Sequence, residues 1–133
     1  MILLEFKRVE EGVVPIYENE AKEKLINARE LHNKLGNKRQ YSDWIKQRIE
    51  HYKFIENKDF IRFHNFVNGD QKGFGNKTTI EYFITIDMAK ELCMVENNDI
   101  GRNIRRYFIE TEKRYRNILK NSNLQIQEKY GII

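Results

Sequence analysis

The chain is poor in the residues that staple, kink or loosen a fold. Its 133 residues include one cysteine, one proline, one tryptophan, seven glycines and three alanines. A lone cysteine excludes an intrachain disulfide and a cysteine-based zinc site, and it fits a reducing compartment. The single proline, Pro15, is tolerable only on an edge strand. Long hydrophobic runs are missing as well. The only N-terminal apolar run, Ile2 to Leu4, is followed at once by Glu5, Lys7 and Arg8, and neither a signal peptide nor a membrane span can be built from it. What is abundant is isoleucine (17), asparagine (14) and lysine (14), a bias expected of an AT-rich genome. Hydrophobic residues make up 40% and charged residues 33%, with seven Tyr and eight Phe. That aromatic content offsets chain entropy and argues against disorder, and the length fits one domain.

The net charge of +4 is small, so its distribution carries more information than its sum. Residues 1–21 sum to −3, residues 22–58 to +5, residues 59–98 to −2, residues 99–120 to +4, and residues 121–133 to zero. Both basic segments read as helical. Such polarity suits a nucleic-acid face, and it equally suits ordinary solvated helices.

The periodicity predicts an α+β fold. Val13 to Tyr17 and Lys24 to Ile26 can pair as a small hairpin. Asn27 is set to cap a helix, with Glu30 placed to reach back; Leu31 and Leu35 form its buried stripe, and Gly36 and Asn37 close it. A second helix is expected near Ser42, with Ser42 as cap, Asp43 in the first turn, and Trp44, Ile45, Arg48, Ile49 and Tyr52 at helical spacing. Two short helices joined by a tight turn make a helix-turn-helix pattern. From Phe60 the period changes to that of a strand, with Ile61, Phe63 and Val67 on one face. Thr79 to Thr85 repeats this with Ile80, Tyr82 and Ile84 in phase. The turn-rich segment between them predicts a long β-hairpin whose mobile tip bears Lys72 and Lys77. Thr85 caps a third helix carrying Met88, Ala89, Leu92, Cys93 and Val95, which Asn97-Asn98-Asp99 breaks. A long last helix follows from Ile100 to about Lys120, striped by Ile104, Phe108, Thr111, Tyr115, Ile118 and Leu119. Residues 1–120 are therefore expected to form one domain, a winged-helix-like helix-turn-helix unit with a long hairpin and a long C-terminal helix. Residues 121–133 are expected to fray. Apolar surface left over on the last helix suggests a homodimer.

No catalytic constellation emerges. His32, His51 and His64 show no zinc-motif spacing, and Cys93 lacks a thiol partner and reads as core packing. Asp59, Asp70, Glu81 and Asp87 each have a simpler role as strand flank, turn former or helix N-terminal charge. The run Gly73 to Thr78 has the wrong spacing for a phosphate loop and joins two strands. No metal, cofactor or catalytic residue is expected. The basic helix pair is more substantial. In a major groove, Lys38, Arg39, Gln40, Tyr41, Lys46 and Arg48 are the residue types needed for base edges and phosphates, with the hairpin tip as a wing. The plainer alternative has Trp44 anchoring the core. On the last helix, Arg102, Arg105, Arg106 and Arg114 form a second cationic group. The alternative for Arg105 and Arg106 is internal pairing with Glu91, Glu96 or Glu110.

Four runs carry a family resemblance. Leu25 to His32 and Asp43 to Ile49 look like the opening of the phage antirepressor domain AntA or AntB. Tyr82 to Val95 and Gly101 to Glu110 resemble the same domain, in the right order, over about Val14 to Arg114. The resemblance implies a temperate-phage or prophage regulator in the bacterial host cytoplasm, with no catalysis and no cofactor. Its partner would be the phage repressor, blocked by protein–protein contact so that lytic genes are released. The alternative is a regulator that binds DNA directly through the helix-turn-helix and wing. A nuclease is a third class, disfavoured because no acidic metal cluster is apparent.

Overall fold

The first chain reversal is set by strand pairing. Strand β2 (Ile16–Glu18) runs antiparallel to β3 (Lys24–Asn27), with Tyr17 opposite Leu25 and Glu18 opposite Lys24. This is the expected small hairpin, with its first strand starting three residues later than Val13 and its second ending one residue later than Ile26. Pro15 precedes β2, where its missing N–H removes no ladder bond. A further strand, β1 (Lys7–Glu10), adds to the outer edge of β2 with a register shift between Arg8 and Glu10. The computed structural model describes residues 7–10, 12–67 and 77–130, except for the side chains of residues 10, 65–67, 77–78 and 122–130.

The long hairpin is formed by β4 (Phe60–Val67) and β5 (Lys77–Thr85), in register from Phe60 opposite Ile84 to Val67 opposite Lys77. Its connection, with Lys72, and the Lys77 side chain lie outside the described residues. Strand β5 also pairs with β3, which gives an antiparallel sheet of order β1-β2-β3-β5-β4. The hairpin base is thus built into a sheet of five strands. Paired residues share a face, so Phe60 joins Tyr82 and Ile84 on the core side. Ile61 and Phe63 share one face of β4, as their alternation predicts, and that face is the one turned away from the core. Ile61 pairs with Phe83 on the opposite face, where Phe63 stacks on the Phe83 ring with centroids 5.7 Å apart.

Four helices are present among the described residues. Helix α1 (Ala28–Leu35) is capped by Asn27, whose Oδ1 accepts from the Arg29 and Glu30 amides at 2.9 and 3.1 Å. Glu30 was expected to complete a capping box. Its carboxylate instead accepts a 2.9 Å bond from the Tyr17 hydroxyl and ties the helix to β2. Gly36 ends α1 with φ of 67°, a left-handed turn that costs glycine nothing. Helix α2 (Tyr41–Tyr52) starts two residues earlier than expected, with Gln40 and not Ser42 at the N-cap and no side-chain cap bond. The cause is Tyr41, whose ring packs against His32 and Trp44 and brings the first turn forward.

Helix α3 (Ile86–Glu96) has the expected cap, Thr85 Oγ1 accepting from the Met88 amide at 3.1 Å, and it closes on left-handed Asn97. Asn98 Oδ1 then accepts from the Gly101 amide at 2.8 Å and opens α4 (Asp99–Tyr130). A Cβ on Gly101 would sit 2.4 Å from the Cys93 carbonyl oxygen, so only glycine lets α4 cross α3 this closely. The backbone of α4 stays helical to Tyr130, ten residues past the expected end near Lys120. Neither Pro nor Gly interrupts it between Arg102 and Tyr130.

The helices pack on one face of the sheet. Ile16, Ile26 and Ile84 from the strands meet Leu31, Leu35, Trp44, Ile45, Met88, Leu92 and Phe108, all buried. The stripe of α4 is buried at Ile104, Phe108 and Thr111, and it then emerges, with Ile118 59% and Leu119 64% exposed. No helix among the described residues is long and apolar enough to cross a membrane.

This division of α4 predicts two different mutational outcomes. Phe108→Ala empties a fully buried site and should cost about 3–5 kcal/mol in urea denaturation. Ile118→Ala removes an exposed side chain and should stay within about 0.5 kcal/mol of the parent.

Candidate functional site

The α1–α2 connection is organised by one buried carboxylate. Glu96, the last residue of α3, has a side chain only 5% exposed. It accepts from Asn37 Nδ2 at 2.9 Å, from Trp44 Nε1 at 3.2 Å and from Arg48 Nη2 at 3.2 Å. Asn37 follows the C-cap of α1, Trp44 and Arg48 lie one turn apart on α2, and Glu96 joins all three to α3. Burial pushes the Glu96 carboxyl up, but the bonds from Asn37, Trp44 and Arg48 outweigh it and hold the group below its ordinary 4.5.

Around this cluster the sequence-selected residues part company. Lys38, Arg39, Gln40 and Lys46 are exposed. Arg39 is fixed at its backbone, where its amide donates to Asn37 Oδ1 at 2.8 Å and its carbonyl accepts from His32 Nε2 at 2.9 Å. Its guanidinium donates to Gln47 Oε1 at 2.9 Å. Tyr41 is buried, its ring covered by the Arg29 guanidinium at 4.4 Å, and burial raises its hydroxyl pKa. Arg48 points inward to Glu96. The α2 group is therefore a rim of Lys38, Arg39, Gln40 and Lys46 around two inward members, and Trp44 takes its place in the core.

On α4, Arg102 is exposed and pairs with Asp99 at 2.6 Å. Arg114 donates to Thr111 Oγ1 at 3.2 Å. Arg105 is half-buried and lines an open groove of about 620 Å³ with Asp59, Glu91 and Ile109, while Arg106 is exposed. Neither makes an ion pair within 4.0 Å among the described residues, and Glu96 has gone to Arg48 instead. A second groove, of about 660 Å³, is lined by Arg39, Lys46, Gln47 and His51 on α2.

Cys93 is buried, and burial pushes its thiol up to about 12, which keeps it protonated at neutral pH. Among the described residues no group of three His, Cys, Asp or Glu side chains could hold a metal ion. Glu96 and Asn37 were missed as organising residues. The available signal was Trp44 with Arg48 one turn later on an inward face, because a buried indole N–H and a buried guanidinium both require an acceptor.

Residues 26–98, more than half of the chain, match the family model described as AntA/AntB antirepressor. The match is narrower than the span of about 14–114 over which the resemblance was seen, and it stops before the Gly101 to Glu110 run. It contains all four members of the Glu96 cluster. No curated protein matches, and no solved structure matches.

Removing the carboxylate leaves Arg48 buried without its counter-charge, so Glu96→Ala should destabilise the fold by about 3 kcal/mol. The pH dependence follows from the lowered pKa. The contribution of Glu96 is complete above its ordinary 4.5 and is lost as pH falls through the lower folded value. Urea denaturation from pH 7 to pH 3 should therefore show a smaller acid loss of stability in Glu96→Gln than in the parent. Equal slopes for the two proteins would remove Glu96 from the account.

Proposed function

This chain belongs to the AntA/AntB antirepressor family, and from that membership we propose that it is a phage or prophage antirepressor. In this reading it binds the phage repressor, lifts it from its operator and releases lytic genes. It works by contact alone, in the host cytoplasm, without turnover or cofactor. The observation that carries the proposal is the family match, which covers β5, both helices of the basic pair and the whole Glu96 cluster. Exposed cations on α2 and α4 supply groups that can pair with acidic side chains of a partner, arginine in bidentate fashion.

A second reading is favoured by one observation, the four exposed polar and cationic residues Lys38, Arg39, Gln40 and Lys46 around the start of α2. They suit phosphate and base contacts if the α1–α2 pair works as a helix-turn-helix with the β4–β5 hairpin as its wing. The turning inward of Tyr41 and Arg48 leaves this reading with fewer contacts than the sequence offered.

Mixing the purified protein with the repressor encoded beside it, on labelled operator DNA, tests the first reading. Repressor should leave the operator as the protein is titrated, and the two should co-elute in size exclusion. A repressor that stays on its operator at saturating protein refutes the proposal. The same gels run without repressor test the second reading, for which log affinity should fall linearly with log salt. In that case Lys38→Glu with Arg39→Glu should weaken the shift.

A further inference from the structure

A cavity of about 300 Å³ opens beside the start of α2. One end is formed by Gln40, Ser42 and Lys46 together with Arg29 of α1, and the other by Thr79, Ile80 and Tyr82 of β5. Tyr41 spans the two, its backbone at the helix start and its ring edge-on to Tyr82 at 6.5 Å. The cavity therefore follows the Tyr41 side chain inward to its hydroxyl end. Its lining includes two basic side chains and no Asp or Glu.

Two independent features leave donors here without acceptors. The first is the helix end. With no side-chain cap bond at Gln40, the first α2 amide that finds an acceptor is that of Trp44, which donates to the Gln40 carbonyl at 2.9 Å. The amides of Tyr41, Ser42 and Asp43 have no acceptor among the described residues, and they form the positive end of the helix dipole. The second is the Tyr41 hydroxyl. Tyr41 is only 9% exposed, and its oxygen has no hydrogen-bond partner among the described residues. Burial raises its pKa, outweighing the Tyr82 backbone, which lowers it, so the hydroxyl keeps a proton to donate. A buried donor left unmade costs free energy that a ligand oxygen would offset.

Charge gives the sign of that ligand. Arg29 is held by Glu81 at 3.2 Å, which cancels its charge. Lys46 makes no ion pair among the described residues; it stands one turn after Ser42, and helical side chains lean towards the N-terminus. Asp43 and Glu50 lie along the neighbouring groove with Arg39 and His51. The uncompensated charge at the cavity is thus positive, from Lys46 and the helix end. Donors converge from α1, from the first turn of α2 and from the inner wall, more directions than the two oxygens of a carboxylate can meet.

We propose that this cavity binds one phosphoryl oxyanion, held by the first amides of α2, Ser42 and Lys46, with the Tyr41 hydroxyl donating from the inner wall. A nucleic-acid backbone and a free phosphate offer the same chemistry, and exposed Lys38 and Arg39 just before the helix suit the former. The site goes beyond the repressor-binding reading and does not depend on it.

Inorganic phosphate titrated into the labelled protein at constant ionic strength, followed by amide NMR shifts, tests the site, with acetate as the comparison anion. The amides of Tyr41, Ser42 and Asp43 should shift saturably with phosphate and far less with acetate. Tyr41→Phe keeps the ring and removes only the hydroxyl. It should weaken phosphate binding roughly tenfold, while its thermal midpoint without phosphate stays equal to the parent's or rises, because the hydroxyl has no partner to lose. Lys46→Gln, at an exposed position, should weaken binding severalfold, and Lys58→Gln, beyond the far end of α2, should not. A short DNA duplex identifies the source. If it moves the same amides at lower concentration than phosphate, and Tyr41→Phe weakens it in parallel, the site takes a nucleic-acid backbone. If only inorganic phosphate moves them, it takes a small phosphorylated ligand. No shift with either probe, equal shifts with acetate, or indifference to both α2 variants overturns the proposal. Release of repressor from its operator is read separately, so the antirepressor reading survives the loss of this site, and the site survives the loss of that reading.

Discussion

An indole N–H and a guanidinium, both taken out of water on one face of α2, converge on the carboxylate of Glu96. Neither donor tolerates burial without an acceptor, and the carboxylate tolerates burial only because it has three donors. The mutual requirement fixes geometry more than it adds stability. A buried ion pair returns little net energy against well-packed apolar side chains, yet separating its members strands a charge at a cost of about 3–5 kcal/mol. Any packing that slides α2 along α3, or moves the Asn37 turn, incurs that cost. The position of the α2 rim, and of any partner contact made there, is thus set by the end of α3.

The sheet holds the same helices from below. Asn27 belongs to β3 and caps α1, and Thr85 belongs to β5 and caps α3, so two helices start from adjacent strands of one sheet. Asn27 also donates to Glu81 at 3.3 Å, which pairs with Arg29 at 3.2 Å. Strand register, helix start and ion pairing are thereby coupled at one place. This coupling explains why the β4–β5 hairpin has a fixed base. Strand β5 lies between β3 and β4, so moving the hairpin base would disturb the caps of both helices.

Local signals were the legible part of the sequence. Asn27, Gly36, Thr85 and Asn97 act through their own backbone neighbours, and all four stand where capping chemistry places them. Signals that needed a distant partner were not legible. The start of α2 depends on Tyr41 packing against His32, and the face of β4 depends on register with β5; neither partner is adjacent in sequence. Arg48 and Tyr41 looked like surface binding residues because their types suit nucleic acid. Their inward direction is decided by Glu96 and by the Arg29 guanidinium, 48 and 12 positions away. Composition gave the kind of side chain available, and only the tertiary frame decided which of them face water.

The length of α4 follows from the same frame. Starting a helix is costly and extending one is not, so an isolated segment of its composition would be marginal in water. Here the first turns are held by Asn98, by the close crossing at Gly101 and by the burial of Ile104, Phe108 and Thr111. The remainder extends from a nucleus the core has already formed. A helix ordered before it meets a partner loses less conformational freedom on binding than a segment that must fold on contact. Beyond Thr111 the packing loosens in steps, with Tyr115 half-buried beside the Lys24 ammonium, 5.0 Å from its ring centroid, and Ile118 and Leu119 exposed. The residues that hold the fold and the residues left in solvent thus lie on successive turns of one helix.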